Sequence, residues 1–473
     1  MREPKFNPTN QSVFDSQHRT MTLGIVLGVT LIAFEALAVV TVAPRISEAL
    51  EGSALYGWIF SGFLLASLLG IVIGGQDADR HGARRPFAVG LLLFGAGLLL
   101  SGFAPNMLLL VAGRVVQGLG GGAVVTALYA AVTVAYTDAL RPRVVALMSS
   151  AWVVPALVGP AIAGFLAEVF SWRVVFLGLV PLLALTALLT LSAFNRLQRE
   201  KKSAPSRRRL LAALGLVAGT GVFLAALTAQ PSWLTVVGAV AGAVVAGFSL
   251  RPLTPGGTLT LQSGLPSVIA ARGLFYASFA GVQAFLALML TSVHGFSSSL
   301  TGIAVATGAV SWTAGSWLQD RLDERSGGEG RSLRVVLGTT LLSLGLGVQC
   351  LALYAPTAVF IITVAGWLLA GLGIGLAHST SSVLAFALAP EGEEGSVASA
   401  LQLADQFTSA LSTGIGGALL AAAIGRGGGE QFGILLAYGF SIALGLLGIL
   451  AAWRIRGARV KGKGSSQPNV ATR

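Results

Sequence analysis

The chain has 473 residues, of which 54% are hydrophobic and only 11% are charged, and its mean hydropathy is +0.79. A soluble domain is roughly a quarter charged, so this composition excludes a water-soluble globular protein and indicates that lipid covers the apolar surface. The net charge of +12 does not indicate nucleic-acid binding, because the basic residues cluster in short loops between apolar stretches, where membrane topology explains them. The single cysteine, Cys350, leaves no disulfide framework and no thiol metal site.

Apolar segments of about twenty residues, the length that crosses a bilayer, follow one another along the chain. The first twenty residues are polar and no cleavage site follows them, so we expect the first span to be retained. We therefore expect an all-α membrane protein with fourteen spans. They are predicted near residues 21–43, 56–75, 86–104, 107–136, 146–168, 174–194, 210–228, 232–249, 266–291, 299–318, 333–353, 357–386, 398–423 and 432–453.

Basic residues in alternate loops predict the orientation. They are frequent in the loop at 196–209, in the tail after residue 453 and in the loop at 80–85, while the loops at 104–106, 230–232 and 355–357 contain none. Cytoplasmic loops carry the excess of arginine and lysine, so an even number of spans predicts that both termini are cytoplasmic. The acidic loop around Glu391 departs from the pattern, but acids contribute little to this rule.

An internal repeat narrows the arrangement of the spans. Residues 112–122 in span four read AGRVVQGLGGG, and residues 365–375 in span twelve read AGWLLAGLGIG. Glycine-rich membrane helices resemble one another by chance, but six coinciding small or apolar positions favour a true repeat of parallel six-span units. We predict an N-terminal tail (1–20), a six-helix bundle (21–195), a basic loop with two inserted helices (196–265), a second bundle (266–455) and a C-terminal tail (456–473).

Few ionisable residues lie inside the predicted spans, and such residues are candidate functional residues because burying them in lipid is costly. Glu35 in span one can bind and release a proton when its surroundings change, whereas Arg114 in span four is a fixed charge that can pair with a carboxylate. A static ion pair is the alternative. Asp405 in span thirteen is a second candidate for proton coupling or for attracting a cation, unless solvent reaches it. Arg272 is expected to reach the membrane interface.

Other polar and aromatic residues are candidates for lining a substrate cavity. His378 is equally a proton carrier or a hydrogen-bonded packing residue, and aromatic residues in membrane helices are mostly packing or interface residues. The predicted cavity set is Gln117, Phe279, Gln283, Trp312, Trp367 and His378.

Two further segments indicate moving parts. After span two, acids and bases lie together between glycines, which predicts a clasp between helices that opens and closes with conformation. Its candidate residues are Gly75, Asp79, Arg80, Gly82 and Arg84. In span five, prolines alternate with small residues, which predicts a bent helix that packs closely on a neighbour. The residues of this second motif are Pro155, Gly159, Pro160 and Gly164.

Together these segments resemble the major facilitator superfamily, and within it the fourteen-span drug:proton antiporter branch. Residues 75–85 are similar to the superfamily's loop motif G-x-L-A-D-R-x-G-R-[RK]-[RK], from which Asp77 and Ala83 depart. Residues 110–118, with Arg114 and Gln117, resemble the fourth-helix motif R-x-x-Q-G. Residues 155–164 resemble the antiporter motif G-x-x-x-G-P-x-x-G-G, which is associated with export.

Two more segments carry the resemblance, which covers residues 20–455. Residues 35–44 look like the first-helix pattern L-D-x-T-I-V-N-V-A-L-P, with Glu35 in place of aspartate, and residues 172–176 match W-R-W-I-F. The resemblance implies two six-helix bundles, a central cavity and alternating access driven by protons. It implies that Glu35 and Arg114 belong to coupling and that Asp79 and Arg80 belong to the conformational switch.

The sequence therefore predicts a monomeric, proton-coupled exporter of a small lipophilic substrate, with multidrug efflux favoured, in the cytoplasmic membrane and in contact with its lipids. Export of a lipid, siderophore or other metabolite is the alternative, and a proton symporter or a non-transporting receptor is a weaker one. We expect that the protein is not an enzyme and binds no cofactor or metal, because its four histidines are scattered along the chain. The nucleotide-binding pattern G-x-x-x-x-G-K-[ST] is not present in the sequence.

Overall fold

In the computed structural model the chain is a bundle of long helices. The structure describes residues 12–15, 18–137, 140–194, 206–230, 232–391 and 393–455. Most of the predicted N-terminal tail, residues 195–205 of the basic loop and the predicted C-terminal tail lie outside the described residues. The helices are α1 (Arg19–Ala49), α2 (Trp58–His81), α3 (Arg84–Gly102), α4 (Met107–Ala135), α5 (Arg141–Ser150), α6 (Val153–Val169), α7 (Trp172–Leu177), α8 (Leu179–Phe194), α9 (Arg207–Thr228), α10 (Trp233–Leu250), α11 (Leu265–Leu288), α12 (Ser298–Ser326), α13 (Arg331–Ala352), α14 (Val359–Ala387), α15 (Glu394–Gly425) and α16 (Gly429–Arg454).

Thirteen helical segments of the described chain are long and apolar enough to cross a membrane. The pairs α5–α6 and α7–α8 each make one crossing, since residues 143–169 and 172–194 form two such segments. The one predicted span that is not among these thirteen, 299–318, corresponds to α12, a helix of 29 residues whose first part is less apolar because it contains many serines, threonines and glycines. The all-α membrane fold expected from the sequence is confirmed.

The helices form two bundles of six crossings, α1–α8 and α11–α16, with α9 and α10 inserted between them in the chain. In the first bundle α4 packs between α2 and α3, and in the second α14 packs between α12 and α13. The inserted helices pack on each other, and α9 also packs on α2 and α15. Leu216 and Leu224 of α9 are fully buried there. The inserted pair therefore contacts one helix of each bundle.

Glycines of α4 and α14 make equivalent contacts in the two bundles. A Cβ at Gly122 would overlap with the Ser67 carbonyl of α2, and a Cβ at Gly375 would overlap with the Trp312 carbonyl of α12. These two glycines are 253 residues apart, which is the offset of the sequence repeat. The predicted repeat is therefore one of packing, because small residues allow the same close helix approach in each half.

We predict that Gly122→Ala and Gly375→Ala each destabilise the protein, because the added methyl group meets backbone that cannot move aside without separating the helices. Overpacking of this kind costs about 1–3 kcal/mol. Thermal unfolding of the purified protein in detergent should show a Tm several degrees lower for both variants. Gly347→Ala in α13 is the matched control, since nothing lies within 4 Å of a Cβ there. An equal Tm for all three variants would contradict this packing account.

Candidate functional site

Glu35 of α1 and Arg114 of α4 meet inside the N-terminal bundle. Arg114 Nη1 donates a hydrogen bond to Glu35 Oε1 and a second one, of 2.7 Å, to Gln117 Oε1 on the next turn of α4. The side chain of Glu35 is fully buried and that of Arg114 is 3% exposed. Two of the three residues that the sequence predicts for proton coupling, Glu35 and Arg114, are thus in direct contact.

Two further contacts fix the guanidinium of Arg114. Its Nε donates to the Ile59 carbonyl of α2 at 3.0 Å, and its Cζ lies 4.3 Å from the centre of the Phe63 ring. A buried cation needs such partners, because the loss of its hydration is otherwise uncompensated. Arg114 is therefore held in place independently of Glu35.

Two polar atoms of this site have no hydrogen-bond partner within the part of the chain that the structure describes. They are Glu35 Oε2 and Gln117 Nε2, and both are buried. A carboxyl oxygen without a donor can itself carry a proton. Glu35 thus has one oxygen bound to Arg114 and one oxygen available for protonation.

Asp405 of α15 pairs with Arg272 of α11 in the C-terminal bundle. Arg272 Nε lies 2.9 Å from Asp405 Oδ1, and Nη2 lies 2.7 Å from Oδ2. As whole residues, Arg272 is 6% exposed and Asp405 is 7% exposed. The expectation that Arg272 extends to the membrane interface is therefore wrong, and the alternative that solvent reaches Asp405 is wrong as well. The physical reason is that each buried charge supplies the partner that the other requires.

His378 of α14 lies against the same pair. Its Nε2 is 2.6 Å from Arg272 Nη2, and its ring centre is 5.3 Å from Trp312 and 5.7 Å from Tyr276. Sequence reasoning named His378 and Asp405 separately and did not place Arg272 with them. No spacing rule joins residues of α11, α14 and α15, so only the fold brings this cluster together.

The predicted cavity residues divide by exposure. Gln283, Trp312 and His378 are partly exposed, whereas Gln117, Phe279 and Trp367 are buried. Phe279 stacks on Trp367 with ring centres 4.7 Å apart, and Trp367 Nε1 donates to the Val305 carbonyl at 3.1 Å. In this structure Phe279 and Trp367 therefore pack the bundle interior and offer almost no surface to a substrate.

The residues of the antiporter motif lie at the seam where α6 meets α12 of the other bundle. A Cβ at Gly164 would overlap with the Ser298 carbonyl, and the Pro160 carbonyl leaves no room for a Cβ at Gly302. Gly159 faces Phe34 of α1, and Pro155 is buried. The motif thus makes the two bundles fit closely along this seam.

Polar contacts at one end of the seam were not predicted from the sequence. Arg45 Nε donates to Ser298 Oγ at 2.6 Å, and Glu168 Oε2 accepts hydrogen bonds from the backbone N and the Oγ of Ser299 at 3.2 and 2.6 Å. Tyr56 of the first bundle also donates to the Ala284 carbonyl of the second at 2.9 Å. The only sequence signal was that Arg45 directly follows the first-helix pattern. These contacts join the bundles at this end.

The loop motif after α2 forms its ion pair through Asp77. Asp77 Oδ1 lies 2.7 Å from His81 Nδ1, and Oδ2 lies 3.6 Å from Arg85 Nε. Asp79 makes no hydrogen bond or ion pair with any described residue. The clasp between helices that is predicted at Asp79 therefore stays a prediction, and in this structure Asp77 of α2 is the acid that lies near a base of α3, Arg85. The other four residues of this motif lie at the surface or shape the turn. Gly75 lies against α4 and Arg80 is exposed. Gly82 follows the end of α2 with φ of 80°, and Arg84 is the first residue of α3.

A stronger clasp lies at the corresponding turn between α12 and α13. Asp323 accepts hydrogen bonds from Arg331, at 3.0 Å from Nε, and from Arg334. The hydrogen bonds and charges of Arg331 and Arg334 lower the pKa of Asp323 to about 2. Arg334 also donates to Gln319 at 3.1 Å, which in turn accepts from Thr380 of α14. This clasp links three helices of the C-terminal bundle.

Two proteins of Mycobacterium tuberculosis are similar to this chain in sequence over most of its length. Over 438 residues the chain is 27% identical to a probable multidrug-efflux transporter of Mycobacterium tuberculosis (strain H37Rv), covering 89% of this chain and 91% of that protein. It is 25% identical to the multidrug resistance protein Stp of the same organism, covering 86% and 77% of the two chains.

Solved structures of low sequence identity share the fold. The POT family transporter PepTSo superposes with a TM-score of 0.70 at 13% identity, covering 93% of this chain and 99% of that one. A D-xylose–proton symporter superposes with a TM-score of 0.66 at 16% identity, covering 93% and 98%. The family model of the Major Facilitator Superfamily matches residues 24–413, and the chain belongs to this superfamily of membrane transporters.

Proposed function

We propose that this transporter is a proton-coupled exporter, a drug:proton antiporter that works by alternating access. The observation that carries the proposal is the buried contact of Glu35 with Arg114 and Gln117. An ionisable group in a membrane interior is retained at a cost, and proton transfer is a common reason for it. The named functions of the two mycobacterial relatives, multidrug efflux and multidrug resistance, support the direction and the class of cargo.

The coupling step follows from the two oxygens of Glu35. In the ionised form the carboxylate is attracted to Arg114, and in the protonated form that attraction is lost while Gln117 still accepts from the same guanidinium. Arg114 cannot release its proton, so the proton is exchanged at Glu35. Binding of a cationic or bulky substrate nearby would favour the release of this proton, which gives exchange in opposite directions.

Alternating access requires contacts that open on one side of the membrane while others close. We propose that Arg45, Tyr56, Glu168, Ser298 and Ser299 close the outer side, and that the clasps at Asp77 and Asp323 lie on the cytoplasmic side. In this assignment both termini are cytoplasmic, as the basic loops predict. We propose that the first bundle ends at residue 195 and that the second begins after residue 265. We further propose that the protein is a monomer in the cell membrane and that its substrate is small and lipophilic.

We predict that Glu35→Gln abolishes proton-driven export, because the amide cannot take up or release a proton. In proteoliposomes with an imposed pH gradient, ethidium transport should fall at least tenfold. Exchange of internal for external ethidium without a gradient should be largely retained. Glu48→Gln on the exposed face of the same helix is the matched control and should behave like wild type. Wild-type gradient-driven transport in the Glu35→Gln variant would refute the coupling role of Glu35.

We predict that Asp323→Asn lowers the Tm by a few degrees, because Arg331 and Arg334 lose their common anion. A carboxylate whose pKa is lowered to about 2, from an ordinary value of 3.8, contributes its full stabilisation above about pH 4 and loses it as the pH falls through 2. The difference in Tm from wild type should therefore be the same at pH 5.5 and pH 8. Glu324→Gln, on an exposed neighbour, should leave Tm unchanged. A difference that varies between these two pH values would contradict this assignment.

A further inference from the structure

The cluster of Arg272, His378 and Asp405 lies apart from the Glu35 site and from the seam between the bundles. It joins α11, α14 and α15, and Arg272 Nη1 also donates to Ser382 Oγ at 2.6 Å. His378 is the most accessible member, with 23% of its side chain exposed, against 7% for Arg272 and 10% for Asp405. The partly exposed imidazole of His378 is therefore the group of this cluster that can exchange protons with its surroundings.

The hydrogen bond between Arg272 and His378 fixes the protonation of the imidazole. A guanidinium has only donors, so His378 Nε2, 2.6 Å from Arg272 Nη2, must be the acceptor. An accepting Nε2 carries no proton, and His378 is therefore neutral in this arrangement with its proton on Nδ1. Protonation at Nε2 would place two donors against each other and break this contact.

Asp405 is the less adaptable partner. Arg272 Nε lies 2.9 and 3.2 Å from its two oxygens, and Nη2 lies 2.7 Å from Oδ2. A carboxylate that accepts three hydrogen bonds from a permanent cation remains ionised. Of the two candidates in this bundle, His378 and not Asp405 is thus the residue whose charge can change.

The surroundings provide a second arrangement for a charged His378. Its Nε2 is already 3.5 Å from Asp405 Oδ2, so a small rotation would exchange the contact with Arg272 for an ion pair with Asp405. The ring of Trp312 makes an edge contact with the imidazole, and the two ring centres are 5.3 Å apart. The helices packed against α14 carry further charged groups and Tyr276, a titratable neighbour on α11: Asp320, Arg321, Asp323, Glu324 and Arg325 of α12, Arg331 and Arg334 of α13, and Glu394 of α15. Asp323 is paired with Arg331 and Arg334 at the α12–α13 turn.

We propose that His378 is a second proton-binding residue of this transporter, in addition to Glu35. When it binds a proton it leaves Arg272 and pairs with Asp405, so the contact between α11 and α14 depends on protonation. The proton binds at Nε2, and no covalent bond other than this N–H bond is formed or broken. This proposal deepens the proposed proton-coupled export and rests on it for its role in transport, but the protonation itself can be measured without transport.

Nuclear magnetic resonance of the full-length protein, labelled at histidine with ¹⁵N and ¹³C in lipid nanodiscs, tests the proposal. The signal of His378 is identified by its loss in His378→Gln, whose amide oxygen can still accept from Arg272. At pH 8.5 we expect the neutral form protonated at Nδ1, and between pH 8.5 and pH 5 we expect the signal to change to that of the imidazolium. In Asp405→Asn half-protonation should occur at a lower pH, because the carboxylate no longer favours the cation.

His81, which is exposed and pairs with Asp77, is the internal control, and its signal should be the same in wild type and Asp405→Asn at each pH. A His378 that is protonated at Nε2 at pH 8.5, or that stays neutral down to pH 5, would overturn the proposal, and neither observation needs the Asp405 variant to fold.

In proteoliposomes, ethidium export by His378→Gln should differ from wild type by at least threefold at pH 6 and by less at pH 8. If wild type does not export ethidium, the proposed function is contradicted. The protonation of His378 measured by magnetic resonance is not affected by that result.

Discussion

The pairing of buried charges is the constraint on which this structure depends. Arg114 and Arg272 lie in the interior of opposite bundles, where neither can give up its charge and where water does not replace missing partners. Each is therefore surrounded by acceptors from several helices: Glu35 and the Ile59 carbonyl around one, Asp405 and Ser382 around the other. Helices that supply these acceptors must stay in contact as long as the charges stay buried, so a change of protonation in the acceptors can change the packing.

The two bundles share a packing plan but differ in chemistry. Gly122 and Gly375 make equivalent close contacts, and Arg114 and Trp367 are separated by the same 253 residues. Both side chains donate to a backbone carbonyl of the neighbouring helix, Ile59 for Arg114 and Val305 for Trp367. At this position the N-terminal bundle thus has an ion pair with Glu35, whereas the C-terminal bundle has an aromatic stack with Phe279. One half thus has an ionisable pair at this position, and the other half is packed by aromatic rings.

Much of the fold follows from the sequence because the bilayer restricts the choices. Apolar length predicts the spans, and the glycine repeat predicts which helices approach closely. Glu35 and Arg114 could be named because charged residues are rare in such segments. Arg272 was misplaced because a long side chain near a helix end usually reaches the interface, and nothing local indicates that Asp405, more than one hundred residues later, faces it. The seam contacts of Arg45 and Glu168 were missed for the same reason, since each pairing joins different bundles.

The proposed exchange depends on one step, the release of a proton from Glu35 when substrate binds. Proton release can be measured directly with a pH indicator when ethidium is added to the detergent-solubilised protein in a weakly buffered solution. We expect wild type to release protons in proportion to the dye bound, and Glu35→Gln to bind ethidium and release markedly fewer protons. Equal proton release by both proteins at equal occupancy would show that Glu35 is only a structural partner of Arg114.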